Sequence, residues 1–196
     1  MNLIQRKKQL DGASDHWVSE ALYLSDPDDN GIEVYVDRPS DTWKRNSEGA
    51  PLMATEALDL QALLDAHSHE VWSGLPTGTT IGHIHLHVAD LKQAQAFYCD
   101  VLGFELIAAY GSQALFVSAG RYHHHIGLNV WAGVGVPPQS AHSVGLKHYE
   151  IVIPDLKELT KLVDRLAAAG IQMQQQNGHL FVQDPSGNSI VFVIKK

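Results

Sequence analysis

Two stretches of the chain share one pattern of apolar and polar positions. His83-Ile84-His85-Leu86-His87-Val88-Ala89-Asp90-Leu91 and His148-Tyr149-Glu150-Ile151-Val152-Ile153-Pro154-Asp155-Leu156 both read His, six residues, Asp-Leu. Each predicts an apolar or alternating strand that runs into an aspartate suited to cap a helix. Helical spacing follows at Leu91, Ala94, Phe97, Tyr98, Val101 and Leu102, with Gly103 as the stop, and again at Leu156, Leu159, Leu162, Val163 and Leu166, ending at Gly170. Short β-type runs come next: 105–110, 114–119 and 124–131 in the first copy, and 172–175, 180–183 and 190–194 in the second. The unit is therefore βαβββ, occurring twice, and pairing the copies into one curved sheet buries the face that each would leave exposed.

A third trace of the unit lies near the start of the sequence. Leu24-Ser25-Asp26-Pro27-Asp28-Asp29-Asn30-Gly31-Ile32-Glu33 matches Val182-Gln183-Asp184-Pro185-Ser186-Gly187-Asn188-Ser189-Ile190-Val191. Residues 1–38 are expected to be the closing strands of a unit whose opening strand and most of whose helix are missing. Residues 39–80 form a linker with a short helix at 58–66, and 81–196 hold the complete pair, as units 81–132 and 146–196. Asp29 stands where the matching turn has Gly187, so backbone strain or a rearranged turn is expected there. The fold class is α+β, paired βαβββ units forming a curved, cupped mixed sheet.

Composition narrows the chemistry. The 196 residues carry 22 Asp and Glu against 14 Lys and Arg, a net charge of −8, with no basic cluster of the kind nucleic acid requires. No apolar run approaches the roughly 20 residues of a membrane span, and no secretory leader is visible at the N-terminus. One cysteine, Cys99, makes an internal disulfide impossible, and a cytoplasmic location is the default. Histidine is the unusual component: there are twelve, six of them between His83 and His125. Imidazole is a common metal ligand and titrates near neutral pH, so clustering on strands points to chemistry.

Together, the strands opening at His83 and His148, the run Ala96-Phe97-Tyr98-Cys99-Asp100-Val101-Leu102-Gly103-Phe104, the stretch Tyr122-His123-His124-His125-Ile126-Gly127-Leu128-Asn129 and the two Asp-Pro-x-x-Asn-x-Ile turns resemble the vicinal oxygen chelate (glyoxalase, bleomycin-resistance and extradiol dioxygenase) superfamily. Within it they look most like the C-terminal part of the two-domain catechol 2,3-dioxygenases. The resemblance implies a non-haem enzyme that opens a catecholic ring with O2. Its ion is Fe(II) or Mn(II), held by two histidines and one glutamate with open coordination positions.

Carried onto this chain, the two histidine ligands are His83 and His148, and the glutamate position of the complete pair is Val191, which cannot bind a metal. The family's tyrosine ten residues earlier is Phe181 here. The front segment keeps both groups, Tyr23 and Glu33. The resemblance thus gives metal ligands His83, His148 and Glu33, a catalytic Tyr23, and an acid–base role to one of His123, His124 and His125, with His124 favoured by alignment. Glu150 lies on the face of His148 and is a candidate substitute carboxylate, His85 lines the same face as His83, His16 is a candidate substrate contact, and His67 and His69 face solvent.

The resulting expectation is an extradiol dioxygenase-like protein, shortened, whose complete pair has a degenerate metal site and holds Fe(II), Mn(II) or no ion at all. Two other readings stand beside it. One is a glyoxalase-type isomerase in which Glu33 meets His83 or His148 across a dimer; the other is a metal-free binding module of the bleomycin-resistance type. The expected partners are a small aromatic substrate, O2 and a second copy of the chain, because strands at 17–38 leave edges to be covered.

Overall fold

The period-two runs of the sequence become strands in three four-stranded sheets in the computed structural model, which describes residues 8–66, 72–140 and 142–195. Contacts divide the chain into two units, Met1–Ile81 and Gly82–Lys196. His67 and His69 lie outside the described residues.

In the first unit β1 (Gly12–Asp15), β2 (Ser19–Ser25), β3 (Gly31–Asp37) and β4 (Glu56–Ala57) form a sheet of order β3-β2-β1-β4. All its pairings are antiparallel. The turn between β2 and β3 is organised by Asp26, whose Oδ1 accepts from the Asp28 and Asn30 amides and whose Oδ2 accepts from Asn30 Nδ2. Asp184 makes the same three bonds to Ser186 and Asn188 in the last hairpin of the chain. The two turns also share their backbone: Asp29 sits at φ 62° and Gly187 at φ 84°. The first turn is thus not rearranged, and its strain falls on Asp29, a residue the left-handed region tolerates less well than glycine. Helix α1 (Leu60–Ala66) begins two residues later than the apolar spacing predicts. Asp59 explains the start, since its carboxylate accepts from the Ala62 amide as an N-cap does.

The second unit is two βαβββ copies. The first runs β5 (Ile84–His87), α2 (Leu91–Gln95), β6 (Glu105–Tyr110), β7 (Ala114–Ser118) and β8 (Ile126–Asn129); the second runs β9 (Tyr149–Ile153), α3 (Leu156–Ala168), β10 (Gln174–Gln176), β11 (His179–Gln183) and β12 (Ser189–Ile194). In each copy the opening strand pairs parallel with the closing one, giving the mixed orders β5-β8-β7-β6 and β10-β11-β12-β9. Both helices start where the sequence places their caps: Asp90 accepts from the Gln93 amide and Asp155 from the Glu158 amide. The first helix departs from expectation after Gln95, where a π-helical turn spans Ala96–Val101 and the Leu102 amide bonds back to Phe97 O. That turn places Phe97 and Tyr98 wholly inside.

One core serves both copies. Leu162 and Leu166 of α3 and Leu180, Val182, Ile190 and Phe192 of its sheet belong to the same cluster as Leu86, Phe97, Tyr98, Val117 and Leu128. Polar ties cross the copies as well: Tyr98 Oη lies 2.9 Å from Tyr149 Oη and donates to Asp184 Oδ2 at 3.0 Å, and Arg165 Nε donates to Val101 O at 2.7 Å. The sheet faces opposite this core carry the polar and aromatic residues that matter below.

Candidate functional site

Alternation along β5 sends Leu86 into the core and His85 and His87 to the other face, with His83 just before the strand on the same side. Facing His85 across the sheet is Gly127, its register partner on β8, and beyond Gly127 is Phe116 on β7. The absence of a side chain at 127 is what makes room for the ring. A Cβ there would lie 2.7 Å from His85 Nδ1 and 2.8 Å from Cε1. His85 is further held by the faces of Trp131, centroids 6.4 Å apart and nearly parallel, and by the edge of Phe116 at 6.0 Å.

The segment 122–125 does not follow strand alternation. Gly120 and Arg121 both take positive φ, 68° and 58°, and the twist this introduces turns consecutive side chains inward together. His123 is 1% exposed and His124 8% exposed. Their Nδ1 atoms share a hydrogen bond of 2.8 Å, and His124 Nε2 shares another with His85 Nε2 at 3.3 Å. The His83 ring stacks on that of His124, centroids 4.2 Å apart, and meets the edge of His123 at 5.9 Å. One donor nitrogen from each of His83, His123 and His124 lies within 4.8 Å of the others. His125 closes the loop differently: its Nδ1 accepts from the Ala119 amide, and burial, helped by His83, lowers its pKa. It therefore stays a neutral acceptor.

The first unit gathers a polar group of its own. Tyr23 and Glu33 are register partners on β2 and β3, and Tyr23 Oη donates to Glu33 Oε1 at 3.3 Å. His16 Nε2 lies 2.6 Å from the same phenol oxygen, and His16 Nδ1 lies 2.6 Å from Ala54 O. A carbonyl only accepts, so Nδ1 carries a proton; the phenol has a single hydrogen, which serves Glu33 Oε1 or His16 Nε2 but not both at once. Burial first, then the Glu33 carboxylate, hold the Tyr23 hydroxyl well above its ordinary pKa. A protonated phenol between an imidazole and a carboxylate can pass a proton to either one or to a ligand oxygen.

In the second unit the residues matching Tyr23 and Glu33 are Phe181 and Val191, again register partners. Val191 is 3% exposed, paired on its other side with Glu150 of β9. His148 precedes β9 and is exposed, as is Glu150. A two-histidine, one-carboxylate set does not fit the second unit, because the buried side chain at its carboxylate position is aliphatic. Among the described residues of that unit, the group of three donor side chains within reach of one another is His83, His123 and His124, without His148. Alternation alone could not group His123 with His124, since it puts neighbours on opposite faces.

A family model described as the Glyoxalase/Bleomycin resistance protein/Dioxygenase superfamily matches residues 80–192. The chain belongs to this superfamily. It is 53% identical over 185 residues to the Catechol-2,3-dioxygenase of Bacillus subtilis (strain 168), a match covering 93% of this chain and 65% of that one. It is 28% identical over 116 residues to Biphenyl-2,3-diol 1,2-dioxygenase 3 of Rhodococcus globerulus, covering 56% of this chain and 60% of the other. The chain thus spans less than two thirds of the length of these curated relatives. A crystal structure of lactoylglutathione lyase from Agrobacterium tumefaciens matches with a TM-score of 0.47 and 24% identity, covering 61% of this chain and 96% of that chain. No helix among the described residues is long and apolar enough to cross a membrane.

Proposed function

We propose that this chain is an extradiol dioxygenase-type protein that acts on a small catecholic aromatic with O2. The observation that carries the reading is the hydrogen-bonded group His16, Tyr23 and Glu33, in a chain 53% identical to a catechol-2,3-dioxygenase. In this reading Tyr23 and Glu33 are the reacting pair. Ring opening of this kind needs a bound Fe(II) or Mn(II) to bring catecholate and oxygen together. Glu33 supplies the anionic oxygen such hard, oxygen-activating sites use. Tyr23, kept protonated, supplies a proton to a developing oxygen anion, and His16, oriented by Ala54 O, holds the phenol oxygen in position for that transfer.

The second unit in this reading has a weakened site of the family type, since Val191 offers no ligand. A binding role without metal is the second reading, favoured by the apolar register pair Phe181 and Val191 where the first unit has Tyr23 and Glu33. The test is iron and manganese analysis of the purified protein followed by incubation with catechol. Copurified metal and a yellow ring-fission product support the proposal. Glu33→Gln should lower turnover by more than about 100-fold, and Tyr23→Phe by about 10-fold to 100-fold. Binding of catechol with no metal and no colour would overturn it in favour of the second reading.

A further inference from the structure

The chemistry left in the second unit is nitrogen chemistry. We infer that His83, His123 and His124 form a three-imidazole site for a borderline transition-metal dication such as Zn(II). This goes beyond the dioxygenase reading: it uses neither His148 nor a carboxylate, and it makes His124 a metal ligand in place of a proton-handling group.

Three observations carry the inference. The donor nitrogens already lie within 4.8 Å of one another. Nitrogens around a tetrahedral ion with bonds of about 2.1 Å stand roughly 3.4 Å apart, so the rings need only small rotations to close on one. Two of the three rings are buried, and their fold positions are enforced: the left-handed residues Gly120 and Arg121 deliver both neighbours to one side, and His83 is stacked against His124. Finally, His85 lies beside the cluster, its Nε2 3.3 Å from His124 Nε2 and its ring over Gly127. A partner that orients a ligating imidazole through its second nitrogen is the usual support of such a site.

Imidazole donors suit Zn, Cu, Fe and Ni, and thiolate-type or all-oxygen metals are disfavoured. Three neutral donors leave the full double charge on the ion and one coordination position open. That position would take an anionic oxygen, from water or from a small ligand such as a catecholate or carboxylate.

The test is titration of the full chain with Zn(II) by calorimetry and with Co(II) by visible absorption. The expected result is a single site with the intense bands of a four-coordinate Co(II) ion, displaced by Zn(II). His83→Asn and His123→Asn should each weaken binding by more than about tenfold, while His148→Ala and His179→Ala should leave it unchanged. Nitrogen-15 spectra of the histidine side chains, recorded with and without Zn(II) on the unsubstituted protein, give the same answer if a variant fails to fold: His83, His123 and His124 should shift. Binding that disappears in His148→Ala and survives in His123→Asn would overturn the inference, as would the absence of any site. Zn(II) binding without catechol turnover would overturn the dioxygenase reading and leave this site standing. Turnover in a protein whose Zn(II) titration shows no site would do the reverse.

Discussion

A methyl group at position 127 meets the ring of His85. The ring of His85, an exposed side chain beside Trp131 and Phe116, occupies that space. Gly127→Ala should therefore push His85 away from His124, and because that ring is exposed and can swing aside, the cost in stability should stay below about 1 kcal/mol. Denaturant unfolding checks the stability, and the histidine spectra check the ring. An unshifted His85 would show the cradle to be loose. The residue scale is also where sequence reading succeeded and failed most clearly. The match of Asp26–Glu33 to Asp184–Val191 was legible directly, because one turn geometry demands the same residues twice. The grouping of His123 with His124 was hidden, since it follows from two positive φ angles at Gly120 and Arg121, and a non-glycine residue there gives little warning in sequence.

At the scale of elements, the strands and both capped helices of the second unit were legible because apolar period, cap and stop agree at each of them. The π-turn at Ala96–Val101 was not: its apolar residues keep helical spacing, and only packing of Phe97 and Tyr98 into the shared core favours the wider turn. In the first unit the ends of the strands are tied by charge. Arg38, just past β3, donates to both oxygens of Asp15 on β1 and to Glu20 on β2, at 2.5, 2.8 and 2.8 Å. The Arg38 guanidinium chiefly, with the Trp17 amide, brings the Asp15 carboxyl down from 3.8 to about 2. A depressed carboxylate pKa adds stability above 3.8 that is lost as pH falls towards 2. The unsubstituted protein should then lose more stability than Arg38→Gln when urea unfolding is compared at about pH 5 and about pH 2.5. Equal losses would mean that the pair is screened by solvent and contributes nothing measurable.

For the whole molecule, the two units hold chemically different groups. Residues 8–66 present a phenol, an imidazole and a carboxylate joined by hydrogen bonds; the Gly82–Lys196 unit presents a group of imidazoles. The repeat made the architecture readable, yet it also carried an expectation that His83 and His148 act together, and the unit's three-donor group excludes His148. The claim on which this account turns is that the second unit binds its ion through nitrogen alone. Anomalous scattering at the zinc edge, from crystals of the full chain grown with Zn(II), tests it most directly. A peak bonded to ring nitrogens of His83, His123 and His124 is expected; a peak on His148, or one that avoids His123 and His124, would contradict that claim.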